Sequence, residues 1–342
     1  MKKVILSAIL CMLFMPVMFA YGEEPKKVYT LKIADAFPTK HPISKGVSYF
    51  MDEAKKQSNG QLEFQYFPNQ QLGGLRDLLK ICQQGMTDIA YIGPSFFPGQ
   101  LGLNTVVLLP EWTTSAEGSA IYSELNKRSA ELQAEWVKNK VRPLTMVTTS
   151  QYNVGTRKKP ITKVQDLKGL RLKSSGGIFE LIAKRYGIVP VTMPSSEMYE
   201  AIQRGILDGA IQSMVSVKAY RLNELEKYHT AGLRLGGYPA VYGINVKSFQ
   251  KLPADLQKVL VKVGEQTTLY MANQWDKLDA GLMHLFKKQG MQIHHISPEE
   301  KAEWYAPLQG IEEEWIAISE KRGLPARKVF ELYKQIAVKI AK

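Results

Sequence analysis

Lys173, Ser174 and Ser175 stand directly before Gly176 and Gly177 in the stretch LRLKSSGGIFELIAKRYG. An ammonium, two hydroxyls and a helix start converge there. A helix N-terminus offers free N–H groups and about half a positive charge. Glycine lets a ligand come close to the backbone. Capture of an anion is the chemistry that this spacing suits. By strand parity Arg171 shares the face of Lys173. A second cation, Arg157, closes the run YNVGTR, and its planar fork fits a carboxylate. The plainer alternative is a helix start among surface cations.

Catalytic patterns are absent. The chain has no G-x-S-x-G elbow, no G-x-x-x-x-G-K-[ST] loop and no H-E-x-x-H helix. The five histidines are scattered. His294 and His295 would point to opposite faces of a strand and cannot easily share a metal. Glu312-Glu313-Glu314 reads as a solvated helix turn. We expect no enzyme, no cofactor and no metal site.

Two matching junctions position these residues. QQGMTDIA at 83–90 and QRGILDGA at 203–210 both spell Q-x-G-x-x-D-x-A. Each follows an apolar-periodic helix and leads into a short apolar run. Around the first, strands at 28–34, 62–66 and 88–92 alternate with helices at 43–58 and 75–84. Around the second, strands at 170–172, 189–193 and 208–211 alternate with helices to Arg185 and to Gly205. Both read as β-α-β-α-β, the pattern of a largely parallel sheet covered by helices. Gly85 and Gly205 are candidate left-handed C′ residues, and Asp88 and Asp208 open the next strand. From Pro253 to Lys288 the pattern is helical for about 36 residues, ~50 Å. That is one long helix bridging two domains, or two helices broken near a glycine. Ser297-Pro298-Glu299-Glu300 is a capping box with proline at the first helical position.

Bulk properties agree with a two-domain globular protein. The chain has 342 residues, 45% of them hydrophobic and 23% charged. Lys2-Lys3, the uncharged run 4–20 and Ala20-Tyr21-Gly22 read as a signal peptide, cleaved near Gly22, with a permanent membrane anchor as the alternative. Its removal takes away two lysines and lowers the net charge from +13 to +11. The excess is dispersed, without the basic stripe and interleaved aromatics of a nucleic-acid binder. Only Cys82 remains after cleavage. No intrachain disulfide is then available, and Cys82 falls on an apolar helix face.

The stretches YNVGTRKKPITKVQDLKGLRLKSS and IVPVTMPSSEMYEAIQRGILDGAIQS resemble the DctP-like solute-binding proteins of tripartite ATP-independent periplasmic (TRAP) transporters. The family pattern is roughly G-x-R, K-P-I, D-L-K-G-L-K-x-R, then P-V-x-M-x-x-x-E-x-Y-x-A-L-Q-x-G-x-x-D-G. FPTKHP, NQQLGG and TDIAYIGPS fit as well, so the likeness covers the mature chain. It implies an α/β, two-domain periplasmic binding protein fold with crossing hinge strands and a domain-spanning helix. It places 27–154 with 238–278 in the first domain, and 155–237 with 279–342 in the second. It implies a monomeric, non-enzymatic periplasmic protein. Such a protein carries a small organic anion to a small and a large permease subunit. The alternative is a ligand-presenting sensor, or the receptor of a different importer class.

The resemblance also distributes roles. Lys173 holds the position of the family's carboxylate-clamping arginine, a departure, because lysine is a point charge without a fork. Arg157 matches the G-x-R arginine. Ser174 adds a hydroxyl at the helix start. Gln212 falls where relatives often carry a cleft asparagine, and Ser195 where some carry an apolar residue. Tyr238 lies near a further cleft position. Phe37, His41, Tyr91 and Phe96 occupy loops lining the first-domain side. The ligand stays open among aromatic or 2-oxo acids, hydroxy acids and sulfonates, with a monocarboxylate of apolar or aromatic body favoured.

Overall fold

The computed structural model describes residues 27–340. The signal peptide expected at the N-terminus lies outside the described residues. The chain opens with β1 (Tyr29–Ala34), α1 (Pro42–Gln57), β2 (Leu62–Phe67), α2 (Leu78–Gln83) and β3 (Ile89–Ile92). Then come α3 (Ser115–Arg128), α4 (Ala130–Lys138) and β4 (Val141–Thr148). The central part holds β5 (Asn153–Thr156), β6 (Arg171–Ser174), α5 (Ile178–Arg185), β7 (Val189–Thr192), α6 (Met198–Gln203), β8 (Gly209–Gln212), α7 (Met214–Ala219) and β9 (Tyr228–Ala231). The chain closes with β10 (Pro239–Asn245), α8 (Val246–Gln250), α9 (Ala254–Lys288), β11 (Gln292–His295), α10 (Lys301–Tyr305), α11 (Ile311–Glu320) and α12 (Ala326–Ile340).

The strands form two sheets, ordered β2-β1-β3-β10-β4 and β11-β9-β5-β8-β6-β7. In the first, β1 lies parallel between β2 and β3, and β10 runs antiparallel beside β3. In the second, β6 lies parallel between β7 and β8, and β5 runs antiparallel beside β8. The two sheets thus repeat one four-strand motif, and the duplicated octapeptide marks the same corner in each. Gly85 (φ 72°) and Gly205 (φ 74°) both take the left-handed backbone that ends a helix. The Asp88 carboxylate accepts the Lys32 N–H of β1 at 2.8 Å. The Asp208 carboxylate accepts the Arg171 N–H of β6, also at 2.8 Å. Each aspartate therefore satisfies the donor one residue ahead of where its own strand pairs with the neighbouring one.

The chain crosses between the sheets after β4 and again after β9. The crossing segments are tied together: Thr149 N–H donates to the Tyr238 carbonyl at 3.0 Å, and Tyr152 N–H to that of Gly236 at 2.8 Å. Gly236 N–H donates to Gln151 Oε1 at 2.9 Å, and Tyr238 N–H to Thr149 Oγ1 at 2.8 Å. Glycine is required at 236, where φ is 79° and a Cβ would run into the Leu108 carbonyl.

α9 is a single unbroken helix of 35 residues, ~52 Å long at ~1.5 Å per residue. Its first half packs on α1, α3 and β4, and later turns meet α7. Phe286 joins the second core with Met198, Ile202 and Met214. Gly264 does not break the helix because it lies against the backbone of Leu144, where a side chain would collide. The Ser297–Glu300 capping box forms as expected, with Ser297 N–H donating to Glu300 at 2.7 Å. The C-terminal segment divides between the sheets. β11 pairs with β9, whereas α12 packs on α3 and its Tyr333 hydroxyl donates to the Leu109 carbonyl at 2.8 Å. Cys82 is fully buried, and burial pushes its thiol up to about 12.

The matched corners give a matched prediction. Asp88→Ala and Asp208→Ala should each cost about 1 kcal/mol, the net worth of such a hydrogen bond. The losses should add, because the sites share no partner. Urea unfolding of both single variants and the double variant checks this.

Candidate functional site

A cleft of about 540 Å³ lies between the sheets, beside the crossing segments. Its second-sheet wall is built where β6 runs out. Gly176 (φ 83°) and Gly177 (φ 60°) turn the chain from the strand into α5. Lys173 is 3% exposed. Its ammonium donates to Ser175 Oγ at 2.8 Å and Ser195 Oγ at 3.2 Å, and both serines line the cleft. Among the described residues no carboxylate lies within ion-pair distance of it. Burial alone pulls its pKa down to about 8. The protein thus holds a cation just behind the cleft wall, on two neutral hydroxyls.

The remaining walls are aromatic. Phe37, His41, Tyr91, Phe96 and Tyr238 all line the cleft on the first-sheet side. Phe37 stacks on His41 at 4.4 Å and meets Tyr91 edge-on at 4.9 Å. His41 caps α1 by accepting the Ile43 N–H on Nδ1 at 3.2 Å. Burial drives its pKa down to about 3, so the ring is neutral. Tyr152 and Tyr220 enter from the second-sheet side, and Trp275 enters from α9. The arrangement suits a small anion with a flat or apolar body.

Three expected residues take other places. Arg157 is the first. Its Nη1 donates to the carbonyls of Ile202 (3.1 Å) and Gln203 (2.7 Å), binding the end of α6. It lines a separate groove of about 120 Å³ with Arg171 and Asp208. That groove lies at the start of β6, four residues and ~13 Å of strand from Ser175. The open C-terminal carbonyls of α6 compete successfully for its guanidinium. Ser174 is the second, for its hydroxyl turns back to accept the Gly176 N–H at 3.2 Å. Gln212 is the third, for its Nε2 donates to buried Glu226 at 3.2 Å.

Glu226 explains why Lys173 keeps its charge unbalanced. Strand pairing sets Lys173 beside Ala210, and Ala210 beside Gly155. The Glu226 carboxyl lies on Gly155, where any Cβ would collide with it. Positions 173 and 155 thus share one sheet face, with their backbones about two strand spacings, ~10 Å, apart. Burial raises the Glu226 pKa to about 8, so the carboxyl is protonated at neutral pH and provides no counter-charge.

Tyr152, Tyr220, Trp275 and Arg76 carried no distinguishing sequence signal. Trp275 lies within α9, and the other three lie in the turns and connections beside α2, β5 and α7. Only the meeting of distant segments brings them to one cleft.

Comparison with known proteins bears on this arrangement. The family model described as bacterial extracellular solute-binding protein, family 7, matches residues 33–317. A solute-binding protein of Albidiferax ferrireducens is 27% identical over 299 residues, covering 85% of this chain and 86% of that one. The C4-dicarboxylate-binding periplasmic protein DctP of Rhodobacter capsulatus is 24% identical, covering 80% and 82%. Two solved structures superpose with TM-scores of 0.85. One is a TRAP solute-binding protein from Rhodoferax ferrireducens with copurified benzoate, 24% identical, covering 92% and 99% of the two chains. The other is a marine-metagenome TRAP solute-binding protein with 3-hydroxybenzoate, 23% identical, covering 92% and 100%. At such identities the likeness establishes a shared two-domain α/β fold.

The Glu226 environment predicts a pH dependence. Its folded pKa of about 8 lies above the ordinary 4.5, so the folded chain keeps a proton that the unfolded chain has lost. Stability should fall as pH rises from 4.5 to 8, by at most ~1.4 kcal/mol per unit for this one group. Glu226→Gln should abolish that component while retaining a partner for Gln212. Urea unfolding of both proteins at pH 5, 6.5 and 8 reads the difference.

Proposed function

The chain belongs to the bacterial extracellular solute-binding proteins of family 7, and from that premise we propose that it captures a small organic carboxylate in the cleft. It works in the periplasm and hands its ligand to the small and large membrane subunits of a TRAP transporter. The observation that carries the ligand class is Lys173, a buried cation seated on Ser175 and Ser195 with no counter-ion. A carboxylate supplies the missing charge. The surrounding rings favour an acid with an aromatic or apolar body. Proteins of the same fold that hold benzoate, 3-hydroxybenzoate and mandelate support this reading. Galacturonate and glucuronate in other structural neighbours mark the polar alternative.

Binding and closure form one equilibrium. We assign 27–154 with 238–278 to one moving unit and 155–237 with 279–295 to the other, and α12, which packs on α3, stays with the first. The ligand favours the closed form only to the extent that it touches both units. Lys173, Ser175 and Ser195 hold its acid group. Phe37, His41, Tyr91, Phe96 and Tyr238 cover its body.

Thermal unfolding against a panel of organic anions tests the reading. A ligand at about a hundred times its Kd adds ~2.7 kcal/mol to the folded state, so a carboxylate hit should raise the midpoint visibly. Hits confined to sulfonates, or no hit at all, count against a carboxylate carrier. Lys173→Met should weaken the hit by about 2–5 kcal/mol, the range for breaking a buried charge pair. Affinity should be flat below pH 8 and fall above it, as free Lys173 loses its proton near about 8. Isothermal titration between pH 6.5 and 9.5 checks the sign.

A further inference from the structure

Lys173 alone leaves most of a carboxylate's hydrogen-bonding capacity unused. A carboxylate presents two oxygens and about four acceptor positions, while a buried ammonium already tied to two serines has one donor to spare. The Ser175 and Ser195 hydroxyls can each add one hydrogen bond, but both are neutral and stand on the same wall, so a cationic donor facing them comes from elsewhere. Among the described cleft-lining residues, the one guanidinium belongs to Arg76.

Arg76 stands on the first-sheet wall, in the turn that leads into α2. Its guanidinium carbon lies 5.6 Å from the centroid of the Phe96 ring. No carboxylate pairs with it among the described residues. Its neighbour Asp77 is engaged with the Gly74 N–H at 3.1 Å. Phe96 belongs to the short turn Pro94–Phe96. Ser95 of that turn faces the second wall: a Cβ on Gly177 would lie 3.9 Å from its own Cβ. Gly177 follows Ser175 and Gly176, and Ser175 holds the Lys173 ammonium. A continuous path of contacts therefore runs from Arg76 through Phe96, Ser95 and Gly177 to Ser175 and Lys173. Arg76 and Ser175 line the same cleft from opposite walls, and the turn bearing Phe96, the ring partner of Arg76, reaches the second wall at the Gly177 end. Ser95 Oγ, at that same end, is buried and has no partner among the described residues.

We infer that Arg76 is a second binding residue of the cleft, gripping the ligand's carboxylate from the wall opposite Lys173. This inference rests on the carboxylate reading above. The acid group is then shared between the two units, point charge on one side and fork on the other. The same contact supplies the closure energy, because an acid group touching both walls binds the closed form better than the open one. The ring of Phe96 orients the guanidinium by cation–π contact.

Isothermal titration tests this with the carboxylate that gives the largest thermal shift, benzoate being tried first. Arg76→Ala should weaken binding ten- to a hundredfold and leave the unliganded melting midpoint unchanged, since the side chain is exposed. Arg76→Lys should recover only part of the loss, because it restores the charge without the fork. The Arg76→Ala, Lys173→Met double variant should lose less than the product of the single losses, since both act on one carboxylate. A hit that Arg76→Ala binds within twofold of wild type overturns the inference and leaves the carrier reading intact. So does a double variant whose losses multiply. A panel without any carboxylate hit overturns both.

Discussion

An ammonium buried without a counter-ion is costly, and much of the second domain is arranged to tolerate one. Lys173 is pulled out of water by β6 and its neighbours and left with two serine hydroxyls. Desolvation of a charge runs to several kcal/mol even after relaxation. The fold offsets it only partly, as the pKa near 8 indicates. Glu226, the buried acid on the same sheet face, is kept protonated by its own burial. The free protein therefore holds a poorly compensated charge beside an aromatic-lined space. An anion entering there relieves a strain that is already built in.

The cleft's geometry depends on how the chain passes between the sheets. Thr149, Tyr152 and Tyr238 belong to the crossing segments and also line the cleft. The hydrogen bonds that tie these segments together therefore also set the floor of the binding site. Under the proposed function, opening and closing turn about this floor. The glycine at 236 permits the tight passage under Leu108.

Much of this was legible in the residues. The repeated Q-x-G-x-x-D-x-A marked two equivalent corners because helix termination favours a left-handed glycine and the neighbouring strand needs an acceptor for the N–H just ahead of the paired register. Those requirements are local, so they surface in local patterns. The proposed anion seat at Lys173 rests on a local pattern too, since Ser175, which accepts from its ammonium, is two residues away in sequence. Arg157 and Gln212 were harder. Their side chains are claimed by the α6 carbonyls and by Glu226, partners set by sheet pairing that no short stretch encodes. Trp275 and Tyr220 reach the cleft only because α9 and α7 happen to pack there.

α9 enters the cores of both domains as one uninterrupted rod. Met271 and Trp275 are buried near one end of the cleft, and Phe286, eleven residues further along the same helix, is embedded in the second core. A sliding motion between the domains would have to shear these side chains out of their sockets. A rotation about the crossing segments needs only a slight flexing of the rod. The helix thus resists sliding between the two halves more than rotation, and under the proposed carrier reading ligand capture is an angular change.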